Sequence, residues 1–370
     1  MRRTVRFLTM ILIIFSLSLQ FSAATSTMPV ITAKATPTGL TTTPSISLSW
    51  VCSPAASSMT EFKVYRATSS SGPYTLITQL MNSLKYVDTK ITKDVKYYYK
   101  IEINPLFSKS NIVTATWVTV KSITTSGVLE LGINDKVQFK YEILPTNATD
   151  KRVIFSSSSS PVASISSTGS ISGLTKGKST ITVKTVDKNL IASSQVSVYE
   201  KAHFPMTYVN ISQGDNGSYS HLGTKAIDNI GISVSSIENV YAPFTGVIKR
   251  FSTDGCNGVY FESLDKVKFG SGIFDKMTIL ILHDNNIQDL YVGKIIKKGT
   301  VFYQEGTAGK VTGAHIHLEC ARGSYISPGG FRNTYGQWTL YNAILPNDAL
   351  YLKSSNIIKN SFGYTWRLSN

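Results

Sequence analysis

Cysteine and histidine are both scarce in this chain of 370 residues, which has three of the first and five of the second. Three cysteines are too few for a fold held together by disulfides. In an oxidising compartment Cys256 and Cys320 could pair and leave Cys52 over, whereas lone buried thiols are the other outcome. Four of the five histidines fall between positions 221 and 317, so chemistry that needs imidazole is concentrated there.

Long apolar runs are also scarce: after the first 24 residues no stretch approaches the ~20 apolar residues that a bilayer span requires. The early run from Phe7 to Leu19 follows three arginines and precedes the small residues Ser22, Ala23 and Ala24. This order predicts a secretory signal peptide over residues 1–24. An uncleaved membrane anchor is the alternative, and the run is short for one. We therefore expect a mature protein without a membrane span that is secreted or associated with a cell wall.

Acidic residues are outnumbered, with 22 Asp and Glu against 37 Lys and Arg. The net charge of +15 divides into +11 for residues 1–200 (21 basic, 10 acidic) and +4 for residues 201–370 (16 basic, 12 acidic). An exported basic surface would attract anionic polymers, such as those of bacterial walls. A scattered, solvated surface is the alternative. The chain lacks the signatures of known nucleic-acid readers, so we expect no nucleic-acid partner.

Short segments with alternating apolar residues fill positions 28–116. The positions that share one face are Ile46, Leu48 and Trp50, then Phe62 and Val64, then Tyr97, Tyr99 and Ile101. Such spacing predicts a β-sandwich. The early Trp, the strand with Val64-Tyr65-Arg66 and the late tyrosine strand resemble a fibronectin type III domain. That resemblance implies a spacer or adhesive module rather than a catalytic one.

Residues 117–199 form a second β-rich segment. Its marks are Leu144-Pro145, Val153-Ile154-Phe155, Gly169, Ile171-Ser172-Gly173-Leu174 and Gly177 to Val183. This series resembles a bacterial immunoglobulin-like domain of the intimin/invasin type, with Phe155 in place of the usual Trp. We expect the serines at 156–160 to form a turn inside this module. Neither module contains a catalytic cluster, and we expect His203, which follows them, to be a surface or packing residue.

The sequence Gly313-Ala314-His315-Ile316-His317-Leu318-Glu319 stands near the end of a third β-rich segment, residues 204–352. Side chains alternate faces along a strand, so His315 and His317 point the same way. Two imidazoles on one face of an apolar strand suit a metal site with one ligand and one catalytic neighbour. Residues 353–370 form a tail that we expect to pack on this domain.

The order of motifs in this segment resembles the lysostaphin-like (LytM-like) zinc metalloendopeptidases. The motifs are His221 with Asp228, Ala242-Pro243-x-x-Gly246, the strand-end His283, Gly306-x-x-Gly309 and the His-x-His strand. The resemblance implies that His221, Asp228 and His317 hold Zn²⁺. It also implies that His283 and His315 are catalytic, taking up and passing on protons beside a zinc-activated water.

One departure from the family concerns the spacing of the first two ligands. The family commonly places its aspartate four residues after the histidine, whereas seven residues separate His221 from Asp228. Residues 222–225 must therefore bulge or loop, which Gly223 permits. Asp215 is the alternative ligand. Tyr219 could bond a tetrahedral intermediate or could simply pack, and Glu319 could orient a ligand or lie exposed at a strand end.

The sequence thus predicts a mainly β protein: two β-sandwich modules, then a β-rich lysostaphin-like peptidase domain with antiparallel sheets. The resemblance implies a monomeric, secreted zinc endopeptidase that hydrolyses peptide bonds in the stems or cross-bridges of peptidoglycan. The alternative is a peptidase fold without catalysis, serving as a wall-binding or adhesive protein or as an activator of another wall hydrolase.

Overall fold

The computed structural model describes residues 28–53, 55, 60–104, 108–233 and 235–369. The predicted signal peptide lies outside the described residues. The fold is mainly β, as predicted, and one four-residue helix is assigned in the described part. The chain divides into two compact units, residues 1–118 and 119–370. No helix among the described residues combines the length and apolar character needed to cross a membrane.

The first unit is a sandwich of two antiparallel sheets, with strand orders β1-β2-β5 and β4-β3-β6-β7. The strands are β1 Val30–Leu40, β2 Thr43–Ser53, β3 Glu61–Ala67, β4 Thr75–Met81, β5 Lys85–Asp88, β6 Lys96–Asn104 and β7 Val113–Thr116. The alternating residues that the sequence places on shared faces are all buried in one core between these sheets. Trp50 packs against Phe62 with ring centroids 5.6 Å apart, which fixes how the two sheets face each other.

The second unit begins with an immunoglobulin-like sandwich that has its own core. Its strands are β8 Ser122–Thr125, β9 Leu129–Gly132, β10 Lys136–Gln138, β11 Tyr141–Leu144, β12 Val153–Ser157, β13 Ala163–Ile165, β14 Ser170–Gly173, β15 Gly177–Thr185 and β16 Ile191–Tyr199. All pairings are antiparallel except β9 with β16. Phe155 is partly buried at the edge of the core and packs edge-on against Phe139.

The rest of the second unit contains the third β-rich segment. Its elements are β17 Tyr208–Gln213, β18 Ile227–Asn229, β19 Asn239–Tyr241, β20 Gly246–Phe251, β21 Val259–Ser263, β22 Val267–Lys268, β23 Phe274–Asp275, β24 Met277–Leu282, β25 Ile295–Ile296, β26 Val301–Gln304, β27 Ile316–Arg322, β28 Gly330–Arg332, β29 Trp338–Leu340, β30 Ala343–Ile344, α1 Pro346–Ala349, β31 Tyr351–Leu352, β32 Ile357–Asn360 and β33 Arg367–Leu368. A sheet in the order β25-β20-β21-β24-β27-β18-β17-β32 is its centre, and β30 also pairs with β27.

The two faces of this central sheet serve different purposes. Along β27, Ile316, Leu318 and Cys320 point into the main core of the domain. The intervening His317 and Glu319 therefore lie on the opposite face. Strands β21 and β24 follow the same alternation, so Tyr260 and Leu280 join a smaller apolar cluster on that second face. One face holds the domain together, and the other carries the polar groups.

The tail is built into the domain. Strand β32 pairs with β17 at the edge of the central sheet, and β33 pairs with β31. Trp366 lies against Phe204 with ring centroids 5.2 Å apart. Asp215, the alternative ligand, is bonded to this tail, since its backbone amide donates to the hydroxyl of Tyr364 at 2.8 Å.

The immunoglobulin-like sandwich and the last domain meet at a partly buried ion cluster. Asp135 lies 3.0 Å from the ammonium of Lys201 and 2.5 Å from that of Lys268. Burial alone would raise the pKa of Asp135, but Lys268, the amide of Gly132 and Lys201 together lower it. Only a short connection separates β16 from Lys201. These contacts make the two domains one compact unit.

All three cysteines are free, so the pairing of Cys256 with Cys320 is absent. Cys320 is completely buried on the core face of β27. Cys256 lies in the turn between β20 and β21, where its backbone carbonyl accepts the amide of His283 at 2.8 Å. The two thiols therefore belong to different parts of the domain.

His203 is a packing residue. Its side chain is buried beside the ring of Tyr351, and neither ring nitrogen has a hydrogen-bond partner among the described residues. Burial, with the nearby charges of Lys298, Lys353 and Lys201, lowers the pKa of His203 to about 3. The folded protein therefore holds this imidazole neutral.

His203→Phe should make the stability less sensitive to acid. Between pH 6.5 and about 3 the unfolded chain binds a proton at this histidine and the folded chain does not, so stability falls as pH falls. The slope attributable to His203 is at most about 1.4 kcal/mol per pH unit. Urea unfolding from pH 8 to pH 4.5 measures it, with the values near pH 8 as the control. Parallel curves for both proteins would contradict this assignment.

Candidate metal centre

Pairing across the central sheet assembles the centre. Strand β18 lies beside β27 with Asp228 directly opposite His317. On the other side of β27, Leu282 at the end of β24 is opposite His317, so His283 follows at the same edge. His221 comes from a turn before β18, where its amide donates to the carbonyl of Gly217. Residues far apart in the sequence are thus brought together by strand register.

Three side chains converge closely enough to share one metal ion. His221 Nε2 lies 3.1 Å from Asp228 Oδ1 and 3.1 Å from His317 Nδ1, and His317 Nδ1 lies 3.2 Å from Asp228 Oδ1. Tetrahedral ligands at ~2.0–2.1 Å from zinc have edges of roughly 3.3–3.4 Å. Two imidazole nitrogens and a carboxylate oxygen are also a donor set that zinc accepts. The residues therefore fit the ion.

The outer nitrogen of each ligand imidazole is held by an acceptor. His221 Nδ1 donates to the carbonyl of Gly214 at 2.8 Å, which leaves the lone pair on Nε2. His317 Nε2 lies 3.3 Å from Glu319 Oε1, which leaves Nδ1 for the centre. Such partners orient ligand rings and raise their basicity. Glu319 is itself fixed, because its Oε2 accepts the amide of Leu340 at 2.8 Å.

Two buried carboxylates give the centre an excess of negative charge. Burial alone would raise the pKa of Asp228, but its bonds to His221 and His317 hold that pKa well below the usual value. Burial alone would lower the pKa of His317, but Asp228 and Glu319 raise it to about 9. The site therefore favours a cation between these groups, either a proton on His317 or a metal ion.

His283 and His315 lie beside the three converging residues. Their rings are 4.6 Å apart, and His315 Nε2 is 3.8 Å from Asp228 Oδ1. His315 Nδ1 donates to the carbonyl of Gly313 at 2.9 Å, and His283 Nδ1 to that of Ala308 at 2.8 Å. Each ring therefore keeps a free lone pair on Nε2.

His283 has a neutral imidazole and an unusual backbone conformation. Burial is the largest cause that lowers the pKa of His283, to about 4, so the ring is neutral near pH 7. Its backbone adopts a φ of 95°, which is unusual for a residue other than glycine and is commonest at functional sites. A Cβ on Gly306 would lie 2.1 Å from the carbonyl of His283. The glycine of the Gly-x-x-Gly motif is therefore needed for this close approach.

The structure resolves several alternatives that the sequence leaves open. The chain turns between His221 and Asp228, with Gly223 at a φ of 70°, which accommodates the odd spacing. Asp215 lies outside the converging set. Glu319 is buried rather than exposed at a strand end. Tyr219 is not a packing residue, since its side chain is 75% exposed and lines the cleft.

The centre lies in a cleft of about 650 Å³. Beyond the histidines, part of the cleft is apolar: Tyr260, Leu280, Leu282 and Trp338 line it beside polar residues, and we call these four the floor. The sequence analysis missed this part of the site. The alternation of β24 could have indicated it, because Leu280 and Leu282 share the face that precedes His283.

One segment of the chain matches a known domain family. Residues 117–195 match the bacterial Ig-like domain (group 2). The resemblance of this segment to bacterial immunoglobulin-like domains is confirmed.

Among curated proteins, the chain is similar to Morphogenesis protein 1 of Bacillus phage B103. The two are 32% identical over 180 residues, which cover 46% of this chain and 44% of that protein. The chain thus spans less than half the length of the curated relatives that it matches.

Among solved structures, the chain is similar to a variant of the catalytic domain of the prophage-encoded M23 protein EnpA from Enterococcus faecalis. The identity is 18% and the TM-score 0.26, over 40% of this chain and 94% of that one. The antimicrobial peptidase lysostaphin from Staphylococcus simulans is similar at 15% identity and a TM-score of 0.25, over 37% and 66% of the two chains.

Glu319→Gln should weaken zinc binding about 10- to 100-fold, because the His317 ring loses the carboxylate that orients it and raises its basicity. Competition with a chelator of known affinity measures the change. The matched control is Glu262→Gln, since Glu262 is a buried carboxylate that pairs with Lys276 and lies outside the converging set. Equal losses in both variants would show a general effect of buried charge and contradict the role of Glu319.

Proposed function

We propose that this protein is a zinc-dependent endopeptidase that hydrolyses peptide bonds in bacterial peptidoglycan, outside the cytoplasm. The proposal depends on one observation: His221, Asp228 and His317 converge in an open cleft, with 3.1–3.2 Å between their nearest nitrogen and oxygen atoms. His283 and His315 stand beside them with free lone pairs. The resemblance of the motif order to the lysostaphin-like peptidases supplies the substrate class.

The geometry supports the roles that the resemblance implies for these side chains. His221, Asp228 and His317 would hold the zinc ion, which supplies Lewis-acid polarisation and a water of lowered pKa. Nε2 of His315 or of His283 can accept a proton from an attacking water and deliver it to the leaving amine. Before it delivers the proton, the protonated imidazole can donate a hydrogen bond to the developing oxyanion. The hydroxyl of Tyr219 is exposed to the same cleft.

The other modules would act as spacers or wall-binding elements in a monomeric protein. The immunoglobulin-like domain shares the ion pairs of Asp135 with the domain that contains the centre. The two domains would therefore move together. The net charge of +15, less the +3 of Arg2, Arg3 and Arg6 in the proposed signal peptide, leaves +12 that would assist attraction to anionic wall polymers. Morphogenesis protein 1 comes from a Bacillus phage, which fits a substrate on a bacterial surface.

The alternative is a peptidase fold that binds walls or activates another hydrolase without catalysis. Such a protein has no need for a complete ligand set. The described residues bring three ligand atoms together and tie each imidazole of the cleft to a carbonyl or carboxylate. A complete ligand set with oriented imidazoles favours the enzyme over this alternative.

His315→Ala should retain about one zinc ion per chain and lose peptidase activity about 10²- to 10⁴-fold, the usual contribution of a general acid–base. Asp228→Asn should lose the zinc as well, because it removes a carboxylate ligand. Bound zinc is measured by elemental analysis, and activity by release of new amino groups from purified peptidoglycan.

His203→Phe serves as the control, since His203 is outside the cleft and the variant should keep both properties. Zinc without amine release on walls of several types would contradict the proposed substrate. Absence of both from the wild-type protein would overturn the enzyme and leave the wall-binding alternative.

A further inference from the structure

Arg250 lies at the far end of the cleft floor, on the same sheet face as the metal centre. Strand register places it opposite Tyr260, Tyr260 opposite Leu280, and Leu280 opposite Glu319. Three strand spacings of ~4.8 Å separate Arg250 from Glu319, or about 14 Å. An apolar row thus leads from the centre to a guanidinium.

A β-bulge gives Arg250 this orientation. Ile248 is completely buried in the main core, and strict alternation would send Arg250, two residues later, into the same core. The register between β20 and β21 shifts between Ile248 and Arg250. Lys249 is the extra residue, and it turns the arginine to the cleft face. Bulges next to active sites commonly re-aim a side chain in this way.

The charge of Arg250 has no counter-ion among the described residues. Its side chain is half-buried and donates one hydrogen bond to the carbonyl of Pro328, while a guanidinium has five donors in a fork that matches a carboxylate. By contrast, Lys249 and Lys276 both pair with Glu262. A fork without an ion pair at the end of this apolar row suits an anionic group on a bound molecule.

We propose that Arg250 is a specificity-determining residue that binds a carboxylate of the peptide substrate. The inference rests on the proposed function, which it extends to an acidic peptide. An extended chain advances about 3.3–3.6 Å per residue, so 14 Å corresponds to about four residues. The carboxylate would therefore lie about four residues from the scissile bond. Tyr260 and Leu280 would contact the intervening residues.

The test compares two forms of one substrate. Cross-linked peptides are released from purified peptidoglycan, and their amines are acetylated. One half keeps its free carboxylates, and the other is converted to amides with carbodiimide and ammonia. The wild-type protein, loaded with zinc, should cleave the free acids with a kcat/KM about 10- to 100-fold higher, the range expected for a charge-assisted hydrogen bond. Arg250→Gln should abolish this preference and leave cleavage of the amides unchanged, and Arg250→Lys should retain part of it.

Lys310→Gln is the matched control. Lys310 is an exposed cation that also lines the cleft, but it lies on the loop before His315 rather than on the sheet. If both variants lose the preference equally, the effect is a general attraction of the cleft for anions and the assignment of Arg250 is wrong. The assignment is also wrong if the wild-type protein cleaves acids and amides alike.

A binding measurement separates this inference from the proposed function. Calorimetry with the metal-free protein should show tighter binding of the free acids, and this preference should vanish in Arg250→Gln. Tighter binding of acids without any cleavage would support Arg250 and overturn the endopeptidase. Cleavage without any preference for the free acids would support the endopeptidase and contradict the role of Arg250. A phosphate-rich wall polymer is added as a competitor in the same measurement. If it binds more strongly than the acidic peptides and displaces them, Arg250 binds the polymer, and the proposed contact with a peptide carboxylate is wrong.

Discussion

The alternation of side chains along β27 is the constraint on which the rest of the domain depends. One face, with Ile316, Leu318 and Cys320, is part of the dry core, and the other, with His317 and Glu319, presents imidazole and carboxylate. A slip of one residue in the pairing of β27 with β18 would exchange these faces. It would bury His317 in the core and expose Ile316. The apolar residues of the strand therefore hold the polar ones in register, and the stability of the core fixes the geometry of the centre.

The sequence predicts this part of the structure well, because periodicity is a local signal. The shared faces of the first sandwich and the common face of His315 and His317 both follow from a spacing of two residues. The mainly β fold and the immunoglobulin-like segment are confirmed. The convergence of His221, Asp228 and His317 comes instead from the family resemblance, since no local pattern brings positions 96 residues apart together.

The features that the sequence could not predict are irregular ones. The bulge at Lys249 cancels the alternation that would bury Arg250. The φ of 95° at His283 depends on a backbone approach by Gly306. The free cysteines have a related explanation. Cys320 follows the alternation of β27 into the core, whereas Cys256 lies in a turn. Such departures are set by tertiary contacts, and they are concentrated around the cleft.

The contact between Gly214 and the tail makes the centre depend on a distant segment. The carbonyl of Gly214 holds the ring of His221, and the space over Gly214 is filled by Phe362 and Tyr364. These aromatic residues stand about 140 positions after His221 in the sequence. A chain trimmed before residue 353 would therefore keep all three converging side chains and lose the packing behind one of them.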